Sequence, residues 1–324
     1  MAKKHNGLPH ASSCEISKQS LLDQLYEIDH NRVMRGRVLK LETQFRQRID
    51  AHVASLPTIG ASFVEFGTSP FVLLIHARER GYSKVSEIER DILPAKQFSS
   101  METSAGKMVE VVSLPVYGWK CVESGMHTVY SAIDGKKLVA DTLCLVTLKS
   151  GPRCLNDEMS ENFADTILQY AGTWAREAGV KNVDFTYGTL YGTRKNSNKK
   201  DWHILRNIWE KNPKTCIQSP NNRWDCSFID RATKTNVDVT IRLGLDWWRY
   251  LGGSTCFVEV MSALIRACVA PCAIARDENY IISDLAQIVS MENVPPEYNV
   301  SLLQRSQFPW LFLMARHYCD SLVD

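Results

Sequence analysis

The sequence predicts an α/β fold, a mixed central sheet flanked by helices, with a helical N-terminal lobe in front of it. Three observations predict it. Apolar residues recur at helical spacing through the first hundred positions. Two β-branched or apolar runs then lie close together at 128–134 and 143–149. From position 156 onward, helical and strand-like patterns alternate. The 324 residues have ordinary globular composition, so a sizeable core can be buried without disulfides or structural metals.

Residues 1–15 are polar and are expected to form a disordered tail. The lobe is expected over 16–100. Within it Leu21, Leu22, Leu25 and Ile28, then Val38, Leu41, Phe45, Ile49 and Val53, fall on helical stripes. Arg32, Arg35, Arg37, Arg46 and Arg48 decorate the same stretch. They fit either a solvated face on a structural or dimerising helix pair, or a surface that meets DNA. Shorter helices are expected at 71–78, at 83–92 with an end near Pro94, and at 104–113.

The core is expected over 101–324. The runs 128–134 and 143–149, joined by Asp-Gly and a polar stretch, read as an antiparallel strand pair. Residues 156–178 read as a helix, with Met159, Phe163, Ile167, Ala171, Trp174 and Ala178 on one stripe. Asn156 suits the N-cap, Asp157 and Glu158 the first turn, and Gly179 the end. A strand at 182–190, a helix at 198–209, a strand at 237–243 and an apolar helix at 256–268 complete the pattern.

Several functions are disfavoured. A formal net charge of +2 argues against a passive, sequence-blind nucleic-acid coat. The ten cysteines include no Cys-x-x-Cys pair. Cys268 and Cys272 lie four apart in an apolar stretch and read as buried reduced thiols, which points to a cytoplasmic protein. No apolar run reaches the roughly 18 residues that span a bilayer, and no signal peptide is evident. No phosphate-binding glycine loop is present, so no nucleotide cofactor is expected. His127 and His203 have no metal-ligand spacing.

The segment that carries chemistry is Leu143-Cys-Leu-Val-Thr-Leu-Lys149-Ser-Gly-Pro-Arg-Cys-Leu-Asn156-Asp-Glu. A near-continuous apolar strand delivers a lysine to its end, and an acidic helix start follows. A desolvated ammonium needs partners. Carboxylates are the natural ones, and together they make a site for a divalent cation and a phosphate. The simpler reading is a lysine that ends a strand and reaches water.

Lys149-Ser-Gly-Pro, after an apolar strand and a hairpin, resembles the active-site strand of the PD-(D/E)xK nucleases, and among them the type II restriction endonucleases. Ser104-Ala-Gly106-Lys107-Met-Val-Glu110 is similar to the helix before the catalytic hairpin. Ser131-Ala-Ile-Asp134-Gly resembles the strand end that supplies the first catalytic aspartate. Tyr187-Gly188-Thr-Leu-Tyr191-Gly192 and Leu243-Gly-Leu-Asp246-Trp247-Trp248 resemble a later core strand and a late motif. The likeness covers about 104–264 and implies a restriction-endonuclease-like core.

Thr147 departs from the pattern, because an acid usually stands two residues before the lysine. The resemblance then points to the variant sites of enzymes that cut CCGG or CCNGG cores, which recruit a glutamate from the following helix. Glu161 is the preferred match and Glu158 the other. For the first acid, Asp134 is preferred. Asp141 would sit about 26 Å from Lys149 along an extended strand, at roughly 3.3 Å per residue. Glu110 is either a further carboxylate of the site or a solvated helix residue.

The resemblance implies Mg²⁺ held by Asp134 and Glu161, with Lys149 stabilising charge at phosphorus. It implies double-stranded DNA as partner and a homodimer matched to a palindromic site. Arg153 and Asn156 stand where related enzymes read bases, though Arg153 also fits a phosphate or structural contact. Arg194, Lys195, Lys199 and Lys200 form a basic loop suited to phosphates. Trp247 and Trp248 read as core. Two alternatives stay open: a repair or recombination nuclease on the same core, and a non-catalytic DNA-binding protein on a degenerate one.

Overall fold

The run expected as a strand at 143–149 forms at Thr142–Lys149 and is covered on both faces, which sets the layering of the molecule. In the computed structural model, residues 13–60, 62, 69–122, 129–130, 132–214, 217–218, 224–271, 282, 284–290 and 294–324 are described. Strand β1 (Glu15–Ser17) leads into α1 (Lys18–His30) and α2 (Arg32–Ala54). Helix α3 (Pro70–Arg80), a 3-10 turn at Val85–Ile88 and the long α4 (Glu89–Val116) come next. Strands β2 (Lys120–Cys121), β3 (Gly135–Val139) and β4 (Thr142–Lys149) precede α5 (Asp157–Ala178), β5 (Asn182–Thr189) and α6 (Lys200–Lys211). The chain continues through β6 (Ile217–Gln218), β7 (Asp225–Asp230), β8 (Thr235–Leu243), α7 (Leu245–Gly252) and α8 (Cys256–Cys268). It closes with α9 (Leu285–Val289), α10 (Phe308–Ala315) and β9 (Ser321–Val323).

Seven strands form one mixed sheet in the order β2-β3-β4-β5-β8-β7-β6. The central β4, β5 and β8 are parallel, and the flanking pairs are antiparallel. Parallel neighbours need a crossover, and α5 supplies the first one. Its ends are chemically marked: Asn156 Oδ1 accepts a hydrogen bond from Met159 N at 2.8 Å, and Gly179 takes a left-handed conformation at φ 71°. This is the restriction-endonuclease-like arrangement that the sequence predicts.

Alternation along β4 sends side chains to two cores. Leu143 and Leu145 pack with Phe185, Ile167, Trp174 and Ile204 under α5 and α6. Cys144, Val146 and Leu148 pack with Leu25, Phe45, Val112, Trp247, Trp248 and Phe312. That second core takes residues from both ends of the chain. The helices expected as a lobe over 16–100 therefore share a helical layer with α8 and α10. At the end of the expected tail, Glu15 opens β1, which pairs in parallel with β9, Glu15 opposite Ser321.

One buried charge ties this layer together. Glu259 of α8 is fully buried and receives Arg37 Nε and NH2, both at 2.6 Å, with Tyr117 Oη at 2.9 Å and Thr255 Oγ1 at 2.8 Å. Removing one partner of such a pair strands the other charge in the core, at about 3–5 kcal/mol. Arg37→Ala is expected to destabilise the protein by that amount in urea denaturation. Arg46→Ala, whose partner Glu42 also binds Arg266, is expected to cost under about 1 kcal/mol.

The structure redraws three expected elements. The helices at 83–92 and 104–113 are one helix, α4, preceded by the 3-10 turn. Pro94 stands exposed within it and offers no N–H to the carbonyl one turn earlier. The strand paired with β4 is β3 at Gly135–Val139, not 128–134. A two-residue loop, Ala140-Asp141, fixes that register with Val139 opposite Thr142, and Ala140 takes φ 51° to close it. Strands β1, β2, β6, β7 and β9 and helices α7, α9 and α10 are additions. Trp247 and Trp248 are both core residues, and among the described residues no single helix is long and apolar enough to cross a membrane.

Candidate active site

The β3–β4 hairpin positions the first acid. Asp134 immediately precedes β3, and its backbone N–H donates to the Val146 carbonyl at 2.8 Å. Its side chain therefore reaches along β4 toward the strand end. Oδ2 accepts from Leu148 N at 2.8 Å and from Thr147 Oγ1 at 3.3 Å. Thr147, which stands in place of an acid, is buried and orients the aspartate.

Helix α4 brings the second acid. Glu110 lies in its last two turns, 5% exposed, beside Asp134. Gly106, one turn earlier, lets the helix approach the Ser150 turn: a Cβ there would lie 2.9 Å from Ser150 Cβ. The same face carries Lys107. Its Nζ donates to Glu110 Oε1 and lies 3.3 Å from Asp134 Oδ1. Burial opposes its charge, but the hydrogen bond to Glu110 and the field of Asp134 hold its pKa above the usual lysine value. Burial, and next the negative charge of Asp134, push Glu110 up to about 7 against the pull of Lys107 and Lys149.

Lys149 closes the site from the strand end. Thr103, Gly106, Lys107, Glu110, Asp134, Leu148, Lys149 and Ser150 line a cavity of about 210 Å³. Lys149 Nζ sits 5.7 Å from the centre of the Phe163 ring and makes no ion pair among the described residues. A weakly engaged ammonium beside a carboxylate pair is free to meet an incoming anion.

The donor set fits a hard divalent cation. Glu110 and Asp134 already converge on one positive centre, Lys107 Nζ. Mg²⁺ is commonly held through one or two carboxylates while keeping several waters. No cluster of three or more His, Cys, Asp or Glu that could hold a metal occurs among the described residues.

The structure therefore gathers Asp134, Glu110 and Lys149 and does not gather Glu161, Glu158 or Asp141. Glu161 pairs with Lys211 at 2.9 Å on the side of α5 that faces α6. The reason is helical phase. Phe163 faces the strand end, and Glu161, two residues earlier, is rotated about 200° from it. Glu158 is exposed and makes no ion pair among the described residues. Asp141 sits in the hairpin turn at the far end of β4 and accepts from Asn182 Nδ2 at 2.9 Å. Glu123 and His127 lie outside the described residues, as does Cys272.

The expected DNA-contacting residues are mostly engaged within the protein. Asn156 Oδ1 caps α5. Arg153 Nε donates to the Asn196 carbonyl at 3.1 Å. Arg194 pairs with Asp246 at 3.0 Å and stacks over Trp224, and Lys199 donates to the Arg194 carbonyl. Lys200 pairs with Asp157 at 2.6 Å. Lys195 is exposed and makes no ion pair among the described residues. Sequence reasoning missed Lys107 as a member of the site. Its spacing of three from Glu110 on one helix face was the available signal.

Residues 74–212, which include Lys107, Glu110, Asp134, Lys149 and all of α5, match the family model described as type II restriction endonuclease EcoO109I. No curated protein matches the chain.

Proposed function

We propose, on the premise that the chain is a type II restriction endonuclease relative over residues 74–212, that it hydrolyses phosphodiester bonds of double-stranded DNA at specific sites with Mg²⁺. The observation that carries the reading is the convergence of Glu110, Asp134 and Lys149 on one cavity at the end of β4. A bound Mg²⁺ would lower the pKa of a water and offset charge gathering at phosphorus.

The chain's own groups do the rest. Asp134, its Oδ2 fixed by Leu148 N and Thr147 Oγ1, would hold the cation through Oδ1. Glu110 is the second carboxylate, in place of the Glu161 expected from the sequence. Lys107 Nζ, which donates to both carboxylates, would give up that position to a cation held by the pair. Lys149 stays beside the reacting phosphate and stabilises its growing negative charge.

A homodimer suits a palindromic site, since a two-fold protein presents one surface to each half. Phe71, Val72, Leu74 and Ile75 are exposed on α3 and give it an apolar face that a second copy would cover.

Incubation of plasmid DNA with the full chain and Mg²⁺ tests the function. Discrete bands that disappear with a chelator are expected. A smear would favour a repair-type nuclease, and binding without cutting a non-catalytic protein.

A further inference from the structure

The long helix α4 has more on its active-site flank than the acids. Next to the 210 Å³ cavity lies a second one of about 440 Å³, lined by Arg48, Ala51, His52, Thr103, Ser104, Lys107, Met108 and Val111. The two share Thr103 and Lys107, so they adjoin across α4, one at the carboxylate pair and the other at the C-terminal part of α2. Arg48 and His52 give this end a basic wall.

The arginines of α2 divide by what holds them. Arg35 lies 3.7 Å from Asp29, Arg37 is locked to buried Glu259, and Arg46 pairs with Glu42. Arg48 is exposed and makes no ion pair among the described residues, although it stands over the groove. Thr103 and Lys107, which line both cavities, are what lies between the guanidinium and the acid pair. Elsewhere Arg194 and Lys200 are committed to carboxylates and Arg153 to a backbone carbonyl, while Arg32 and Lys195, exposed and without an ion pair among the described residues, line neither cavity.

A polyanion that brings one phosphate to the acid pair meets repulsion from the two carboxylates. Its neighbouring phosphates need fixed positive charge close by. We propose that the groove under Arg48 and His52 is the track for the DNA backbone flanking the bond to be cut, with Arg48 holding a phosphate one or two positions from it. The proposal rests on the nuclease reading and adds a binding surface from α2, outside the residues that match the family. Contacts of this kind position the duplex without reading its sequence. A guanidinium suits the role because its planar fork matches two phosphate oxygens.

The test is binding of a fluorescent 30-base-pair duplex to the full chain in Ca²⁺, followed over a series of salt concentrations. Arg48→Gln is compared with Arg48→Lys and with Arg32→Gln, an exposed arginine about 24 Å away along α2 at 1.5 Å per residue. We expect Arg48→Gln to weaken binding by about five- to tenfold. It should also flatten the dependence of log affinity on log salt by about 0.9, the value for one lost phosphate contact. Arg48→Lys should keep the slope, and Arg32→Gln should match the wild type. A wild type that binds while Arg48→Gln keeps its affinity and slope overturns the groove and leaves the nuclease reading standing. A wild type that binds no duplex overturns both.

Discussion

Lys149→Ala is expected to lower cleavage by about 10²- to 10³-fold, the usual loss when one group that stabilises transition-state charge is removed. The ammonium lines the cavity at the end of β4 and makes no ion pair among the described residues. Its removal therefore strands no partner, and stability should change by less than about 0.5 kcal/mol. Duplex binding in Ca²⁺ should change far less than turnover, because the interaction strengthens as charge develops on phosphorus. Lys149→Arg keeps the charge and should recover part of the rate. A Lys149→Ala protein that cuts at nearly the wild-type rate would remove the lysine from the mechanism.

Glu110→Gln should produce opposite effects on activity and on stability. Cleavage is expected to fall by orders of magnitude, since one of two carboxylates available to the cation is lost. In the metal-free protein the same change should stabilise at alkaline pH. Folding raises the Glu110 pKa to about 7, chiefly by burial and then by the charge of Asp134. The unfolded value is about 4.3. Between those values the folded state holds more protons than the unfolded state. This group therefore lowers stability as pH rises from the unfolded value through 7, and the full cost, on the order of 3 kcal/mol, is present above that. Glutamine carries no charge to desolvate, although it gives Lys107 a weaker acceptor. Thermal melts with a chelator should show Glu110→Gln above the wild type at pH 8, with the gap closing near pH 5. Equal midpoints at both pH values would mean that the buried carboxylate carries no such cost. A functional acid that weakens its own fold is the expected signature of a site kept for binding a cation.

Much of the scaffold was readable in the sequence. Strand β4 announces itself as an apolar run ending in lysine, and α5 by its stripe, its Asn156 cap and its Gly179 stop. Asp134 and Lys149 were legible as partners because a hairpin can fold one back on the other. The second acid was harder. Glu110 and Asp134 meet only because Gly106 lets α4 lie against the Ser150 turn, a tertiary contact with no local periodic signal. Glu161 was preferred on spacing alone. The phase of α5 depends on the loop 150–156, where Gly151 packs under Tyr191 and Pro152 under Gly192. Those contacts turn Phe163, rather than a glutamate, toward Lys149. The strand at 135–139 was hidden for another reason. Its hairpin turns at Ala140 with positive φ, a conformation usually signalled by glycine or asparagine.

In the proposed mechanism Glu110 and Asp134, and no residue of α5, hold the cation. The most direct measurement is calorimetric titration of Mg²⁺ into the full-length wild type, Glu110→Gln and Glu161→Gln in the presence of duplex DNA and at a temperature low enough to suppress turnover. Glu110→Gln is expected to weaken Mg²⁺ binding at least about tenfold, the loss of one charge-assisted ligand, while Glu161→Gln titrates like the wild type. Weakened binding in Glu161→Gln with wild-type binding in Glu110→Gln would contradict it and return the second carboxylate to the helix after the strand.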